Sequence, residues 1–541
     1  MLATIRHWFV DNFVELGREM RLSYLPPLMV YVAAGVSGLT GIVGTFFVKE
    51  YLGLSAAFLA ALGFWAGIPW ALKMPLGHLV DLIWRHKAGL VWLGAGLIAA
   101  SLLIMLGLVT EPLRMRAVMS IEAWFVLSAL LSPVGYVLQD VVADAMTVEA
   151  VPRVDEHGQP LPAATRRLMN TTLQTLGRVA IIGGGVLVSL VNVLMFAGVE
   201  SLPPNAKAAI YSEVYALALL IPVISVAGVL LAALLQRRKR QRLRARGFAE
   251  ARLRELLEPP LEPVQPNWWI LGGSLVFVVI SLSVGLSQLP FGEEIVFLAS
   301  FAVIVFLMGR LLRELDGDSR RTLLGTAIVI FVFRAVPGPG AGSTWWMIDA
   351  LGFDQSFLAK LSLIASVLTL LGLFTFRRFM AERSIAYIAG FLTLAGTLLS
   401  LPTLGMYFGL HEWTAAHTGG IVDARFIALI DTALESPLGQ IAMVPMLAWI
   451  ANSAPANLKA TYFAVMASFT NLALSASQLG TRYLNQIFEV NREVRDPLTN
   501  ALTTPADYSQ LGSLFMVSIV LGLVLPFAAI WLTRTLKLRS A

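Results

Sequence analysis

Two aspartates four residues apart stand in a long apolar stretch of the sequence. In a helix, this spacing puts Asp140 and Asp144 on one face, with Glu149 about a turn further along. Two carboxylates this close repel each other, which favours the binding of a proton by one of them. Arg178, in the next apolar stretch, reaches the depth of Asp140 if the two helices run antiparallel. The pattern therefore predicts either a reversible proton carrier or a purely structural ion pair between two helices.

A second set of charges lies in the C-terminal half of the chain. Arg334 stands about twelve residues into an apolar stretch and is followed by Pro-Gly-Pro-Gly at 337–340. Prolines remove backbone donors and break a helix, and the carbonyls left free need a cavity or a ligand to satisfy them. Asp431 and Glu435, again four apart, lie in an opposing stretch where Glu435 comes to the depth of Arg334. We expect Arg334 to bind an anion and to pair with Glu435 when empty; the alternative is a structural pair.

The composition requires lipid as the solvent for most of this chain. Of its 541 residues, 57% are hydrophobic and 14% are charged, whereas soluble domains have about a quarter charged. Stretches of about 20 apolar residues, long enough to cross a bilayer, recur about fourteen times. This predicts an all-α polytopic membrane protein, in which buried charges are costly and therefore candidates for function. Residues 1–24 alternate aromatic and charged residues and predict an amphipathic helix on the membrane surface.

The basic residues of the predicted loops are concentrated on one side of the membrane. The largest group is Arg-Arg-Lys-Arg at 237–240, at the start of a linker over 236–266. By the positive-inside rule, the linker and both termini are expected in the cytoplasm, with the chain in a bacterial inner membrane. A basic run beside a membrane span is typical of contact with anionic lipid, so we do not expect nucleic-acid binding.

An internal repeat divides the chain into two halves. Residues 46–62 align without gaps on 345–361, and Ser-Pro at 132–133 matches Ser-Pro at 436–437 at nearly the same offset. Two parallel six-helix repeats are typical of the major facilitator superfamily, whose substrate site lies between the halves near the midplane. The predicted units are a six-helix bundle over 25–235, an inserted two-helix hairpin over 267–313 and a second six-helix bundle over 322–541.

A glycine-to-aspartate motif lies between the second and third predicted spans. Gly77 and Asp81, followed by Arg85, resemble the loop motif of the superfamily. The resemblance implies a cytoplasmic gate, to which we also assign Lys73 and Glu149. The alternative is a set of solvated loop charges that only sets topology.

Longer patterns resemble the folate and biopterin transporter family of this superfamily. They comprise 52–55 (LGLS), 69–70 (PW), 73–81 (KMPLGHLVD), 139–149 (QDVVADAMTVE), 173–176 (LQTL), 183–185 (GGG), 349–353 (DALGF) and 455–464 (PANLKATYFA). The resemblance implies uptake of folates or related pterins in symport with protons. Asp140, Asp144 and Arg178 would then couple protons.

The same resemblance implies roles for the charges and aromatic residues of the second half. Arg334 would hold the carboxylates of a folate-like anion, with Glu435 as its partner in the empty state and Asp431 beside Glu435 on the opposing helix. Trp345 and Trp346 would stack on a pterin ring, although anchoring at the membrane interface is the plainer interpretation of tryptophans at span ends.

Several classes of function are not expected. The chain has no cysteine, its histidines lack ligand spacing and no phosphate-binding loop is present, so we expect no metal site, no cofactor and no enzymatic activity. We expect a monomer. Two alternatives to uptake stay open: proton-driven export of amphipathic compounds, and a non-transporting assembly or delivery factor that has kept the fold.

Overall fold

A computed structural model describes residues 19–540 apart from 53, 72, 153–158, 160, 248–265, 288, 314–315, 440, 442–458 and 496–501. Most of the predicted amphipathic segment 1–24 and most of the linker 236–266 lie outside the described residues. The described part is almost entirely helical, with one two-stranded antiparallel hairpin.

The described residues of the N-terminal half form ten helices. They are α1 (Leu25–Gly35), α2 (Gly41–Tyr51), α3 (Ala56–Ala71), α4 (Lys73–Leu82), α5 (Ala88–Thr110), α6 (Pro112–Val118), α7 (Ile121–Ala150), α8 (Ala163–Met195), α9 (Pro204–Ala218) and α10 (Leu220–Ala245). Short 3-10 segments lie at Leu22–Tyr24, Val36–Thr40, Trp84–His86 and Val199–Ser201. Helix α10 continues through the basic run into the predicted linker, because arginine and lysine are good helix formers.

The remaining elements form the inserted hairpin and the C-terminal half. The hairpin is α11 (Trp268–Ser287) and α12 (Gly292–Leu312). The C-terminal half contains α13 (Gly317–Arg334), α14 (Ala341–Asp349), α15 (Gln355–Thr375), α16 (Arg377–Glu382), α17 (Ile385–Tyr407), α18 (Leu410–His417), α19 (Ala424–Glu435), the 3-10 segment Ser436–Leu438, α20 (Lys459–Ile487), β1 (Val494–Arg495), β2 (Leu502–Thr504) and α21 (Leu511–Thr535).

Eleven helical segments of the described chain are long and apolar enough to cross a membrane. Three further predicted spans correspond to the broken pair α13 and α14, to α19 with the residues after it, and to the more polar α20. The prediction of an all-α membrane protein with about fourteen spans is confirmed. We call the side where α10 ends the linker side, and the opposite side the far side.

The sequence repeat has a structural counterpart at the start of two equivalent helices. The Ser55 hydroxyl accepts the backbone N–H of Phe58 at 3.1 Å, and the Asp354 carboxylate accepts that of Phe357 at 2.8 Å. A side-chain oxygen at this position satisfies a backbone donor that has no partner within the helix. Positions 55 and 354 are equivalent in the repeat, so both halves begin their second span with the same type of cap.

The two halves meet along two pairs of helices. Helix α3 packs against α20, where the Asn471 amide donates to the Trp70 carbonyl at 3.1 Å. Helix α8 packs against α15, where the hydroxyl of Ser189 lies 2.8 Å from that of Ser362 and 3.2 Å from that of Ser366. Small and hydroxyl side chains allow close helix approach in a membrane. These two helix pairs are the most extensive contacts between the halves among the described residues.

The inserted hairpin is fastened where α3 and α20 meet. Glu293 at the start of α12 accepts the indole N–H of Trp65 at 3.2 Å and pairs with the Arg482 guanidinium at 3.0 Å. Glu294 lies 3.4 Å from Arg482 and accepts a hydrogen bond from the Tyr483 hydroxyl. Trp65 belongs to the N-terminal half and Arg482 to the C-terminal half. The hairpin therefore binds both halves at once.

Candidate functional site: a buried charge cluster and a broken helix

Three helices bring one lysine and two aspartates together inside the N-terminal half. The Lys73 ammonium, at the start of α4, lies 2.6 Å from Asp140 Oδ2 and 2.9 Å from Asp144 Oδ2 on α7. Tyr31 on α1 donates its hydroxyl to Asp144 Oδ1 at 2.7 Å. The four-residue spacing puts both carboxylates on the face that meets α4 and α1. We call Tyr31, Lys73, Asp140 and Asp144 the carboxylate cluster.

The carboxylate cluster has one more negative group than positive groups in direct contact. The Asp140 side chain is 17% exposed, whereas that of Asp144 is 42% exposed. With Lys73 held on Asp140, a proton on Asp144 would make the set neutral. The Tyr31 hydroxyl accepts as readily as it donates, so it is suited to contact Asp144 in either protonation state. The arrangement can therefore hold one exchangeable proton.

Arg178, the predicted partner of Asp140, does not form the ion pair that the sequence suggested. It is half-buried on α8 and acts on Asp140 through its charge, but among the described contacts the ion pair of Asp140 is with Lys73. Sequence reasoning had assigned Lys73 to the gate and had not singled out Tyr31. The signal for Lys73 was available, because a lysine within a span needs a carboxylate partner.

The last carboxylate of α7 belongs to a separate ion pair on the linker side. Glu149 Oε1 lies 2.6 Å from the ammonium of Lys87, which is buried, donates to the Trp84 carbonyl at 3.2 Å and lies 4.1 Å from the centre of the Trp84 ring. This pair fixes the end of α7 against the turn before α5.

The remaining gate residues surround the same turn. Gly77 and Asp81 lie on α4, Asp81 being half-buried. Between them, His78 accepts the backbone N–H of Asn267 at 2.9 Å, which ties the gate motif to the start of the hairpin. The side chain of Arg85 lies outside the described residues.

The helix ends at Arg334, as the prolines predict, and side chains of α20 form hydrogen bonds with the non-helical backbone that follows. Ser477 donates its hydroxyl to the Val336 carbonyl at 2.7 Å, Thr481 accepts the Gly338 N–H at 3.0 Å, and Asn485 donates to the Pro339 carbonyl at 3.2 Å. These three side chains are spaced by four residues and share one face of α20. For the carbonyls of Val336 and Pro339, the expectation that only a cavity or ligand would satisfy them is therefore corrected.

Arg334 and its predicted partner Glu435 lie on helices that have mostly different neighbours. Arg334 is half-buried at the end of α13, which packs against α17, α20 and α21. Glu435 is exposed at the end of α19, which packs against α15 and α17, and its charge acts on half-buried Asp431. Within the described residues, no ion pair joins Arg334 to Glu435.

Trp345 and Trp346 are both buried in this conformation. Trp345 has the Arg492 guanidinium 4.5 Å from its ring centre, and Trp346 lies against the rings of Tyr407 and Phe515. Protein contacts thus cover both rings. Stacking of either ring on a pterin stays a prediction that requires rearrangement.

Comparison with known proteins places the chain in a family. The model of the BT1 family matches residues 34–537. The chain belongs to the BT1 family. It is similar to the folate-biopterin transporter of Synechocystis sp. (strain ATCC 27184 / PCC 6803 / Kazusa), with 23% identity over 468 residues, 86% of this chain and 75% of that protein. A putative folate transporter 2 of Plasmodium berghei (strain Anka) is 26% identical over 167 residues, 30% of this chain and 34% of that protein.

Solved structures of similar fold are transporters. A POT family transporter in complex with 5-aminolevulinic acid has a TM-score of 0.61 at 12% identity, covering 95% of this chain and 96% of that chain. A peptide transporter POT in complex with sulfate has a TM-score of 0.56 at 16% identity, covering 95% of each chain. The predicted family and the major facilitator architecture are confirmed. This member of the BT1 family is an integral membrane transporter, and its relatives are named as transporters rather than enzymes.

Proposed function

We propose that this protein imports a folate- or pterin-like organic anion in symport with protons, by alternating access. The carboxylate cluster carries the proposal, because two carboxylates on one lysine leave a place for one proton at a partly exposed aspartate. The substrate class rests on the family and on the names of the similar transporters. Alternating access is supported by two bundles that meet along two helix pairs.

Within this mechanism, Asp144 takes the proton and Lys73 stays on Asp140. Arg334, near the middle of its span and beside the helix break, binds a carboxylate of the substrate through its planar guanidinium. Asp431 and Glu435, on the opposing helix α19, contribute negative charge on that side of the substrate site. The Lys87–Glu149 pair, with Gly77, Asp81 and Arg85, opens and closes the linker side.

On the basis of the positive-inside pattern, we expect the chain in a bacterial inner membrane, with the linker and both termini on the cytoplasmic side. The basic end of α10 would then face anionic lipid. Reporter fusions after Ala541 and at Gly247 test this orientation. Activity of a periplasmic reporter at either position would refute it.

Transport is tested with purified protein in proteoliposomes. We expect radiolabelled folic acid to accumulate when the exterior is more acidic, and the accumulation to vanish with a protonophore. Proton-driven extrusion of an amphipathic cation such as ethidium would instead support the exporter. Absence of any flux under every gradient would support an assembly factor and refute symport.

A further inference from the structure

A set of contacts on the far side locks the two halves together. The Lys49 ammonium at the end of α2 lies 2.5 Å from Asp349 Oδ1 at the end of α14, and the Tyr508 hydroxyl donates to Asp349 Oδ2 at 2.5 Å. The Gln355 amide donates to the Tyr211 hydroxyl at 2.7 Å, also between the halves. The lock thus lies near the start of the two equivalent repeat segments, 46–62 and 345–361.

Arg492 completes the lock from the segment before β1. Its Nε donates to the Lys49 carbonyl at 2.9 Å and its Nη1 to the Leu54 carbonyl at 2.5 Å, so a side chain of the C-terminal half holds the backbone of the N-terminal half. Arg492 is 3% exposed and lies over the Trp345 ring. We call Lys49, Asp349, Arg492 and Tyr508 the far-side lock.

One nitrogen of the Arg492 guanidinium, Nη2, has no hydrogen-bond acceptor in the described residues. Nη2 is buried and makes no hydrogen bond within the described structure, and both acceptors of Arg492 are neutral carbonyls. Burial lowers the pKa of Arg492 to about 10, so it is charged at neutral pH, with Tyr508 and Asp349 acting in the opposite direction. An unpaired donor on a buried cation is costly, and a carboxylate would satisfy it through short, charge-assisted hydrogen bonds.

We propose that the far-side lock is also the entry site for the anionic end of the substrate, with a substrate carboxylate replacing Asp349 on Lys49 and binding Nη2 of Arg492. Lys49 supplies the second positive charge and Trp345 supplies an apolar ring for an aromatic ligand. Because the carboxylate competes with Asp349, its arrival releases α14 from α2. Binding of the anion and opening of the far side are therefore one event. This proposal rests on the proposed uptake of a carboxylate-bearing substrate and adds a site distinct from Arg334.

The first test measures the lock without substrate. The chain has no cysteine, so spin labels at Val118→Cys and Ile421→Cys, exposed positions on the far side of opposite halves, report the distance between the halves. Asp349→Asn removes the charge that holds Lys49 and should increase the population at longer distances. Glu50→Gln is the matched control, because Glu50 occupies the repeat position equivalent to Asp349 and makes no ion pair with Lys49 in the described residues. Equal distance distributions in both variants would overturn the lock.

The second test adds folic acid or biopterin, which has no carboxylate. Folic acid should lengthen the distance in the otherwise unaltered protein and in Arg334→Lys, but not in Arg492→Gln, and biopterin should leave the distance unchanged. Because Arg492→Gln also removes a lock contact, each variant is compared with its own distance before ligand is added; an Arg492→Gln variant in which folic acid lengthens the distance as much as in its parent would overturn the entry site while leaving the proposed uptake intact. Failure of folic acid and biopterin to bind the unaltered protein would refute the proposed function itself, and the entry site with it.

Discussion

Replacing Asp144 with asparagine should uncouple transport from protons without dismantling the carboxylate cluster. The amide keeps the size of the side chain and cannot be protonated at neutral pH. Lys73 keeps its 2.6 Å contact with Asp140, so the variant should fold and insert. The site would then be neutral throughout the cycle, as it is in the parent when Asp144 carries a proton. Substrate can therefore cross, but it can no longer be driven.

The expected accumulation ratio of the substrate follows from the number of charges in the carboxylate cluster. Two carboxylates and one ammonium leave room for one proton, which predicts one proton per substrate from this site. A gradient of one pH unit is worth about 1.4 kcal/mol per proton and therefore supports about tenfold accumulation at zero membrane potential. The unaltered protein should approach this ratio, and Asp144→Asn should stop at a ratio of about one.

The assay is uptake of radiolabelled folic acid into proteoliposomes, with potassium and valinomycin clamping the potential at zero. Exchange of labelled for unlabelled folic acid without a gradient should survive in the variant, which separates uncoupling from loss of binding. Glu122→Gln is the matched control, because it removes a carboxylate from the first turn of the same helix α7, far along the helix from Asp140 and Asp144. If Asp144→Asn and Asp140→Asn, each tested alone, both retain uphill uptake and its pH dependence, the cluster does not couple protons.

Three further variants test the rest of the site and the hairpin. Arg334→Lys keeps the charge but loses the planar fork, so the affinity for folic acid in an equilibrium binding assay should fall about tenfold or more while the yield of inserted protein stays the same; unchanged affinity would remove Arg334 from the site. Thr481→Val removes the acceptor of the Gly338 N–H at nearly constant volume, and should destabilise the protein by about 1–3 kcal/mol, seen as a lower melting temperature in detergent; an unchanged melting temperature would show that another group satisfies this donor. Glu293→Gln weakens the contact with Arg482, so hydrogen exchange across α12 should increase relative to α5; protection equal to that of the parent would mean that the ion pair does not hold the hairpin.

Much of the architecture follows from local sequence. The positions of the spans depend on the length of the apolar stretches. The end of the helix after Arg334 depends on prolines, which supply no backbone donor. The common face of Asp140 and Asp144 depends on the helical period. The repeat, read from aligned segments, puts Ser55 and Asp354 at equivalent positions, where the structure has equivalent caps. The family follows from motifs spread over both halves.

Partners across helices were decided only by the tertiary structure. Sequence gives the depth of a residue in the membrane, but the rotation and tilt of each helix depend on packing against all of its neighbours. Depth alone favoured Arg178 for Asp140 and Glu435 for Arg334, whereas the structure puts Lys73 on Asp140 and, among the described residues, shows no ion pair between Arg334 and Glu435. In the same way, the hydroxyl and amide groups of α20 meet the broken helix, and Arg492 reaches the opposite half, through contacts between residues more than a hundred positions apart, a distance over which no local period carries information.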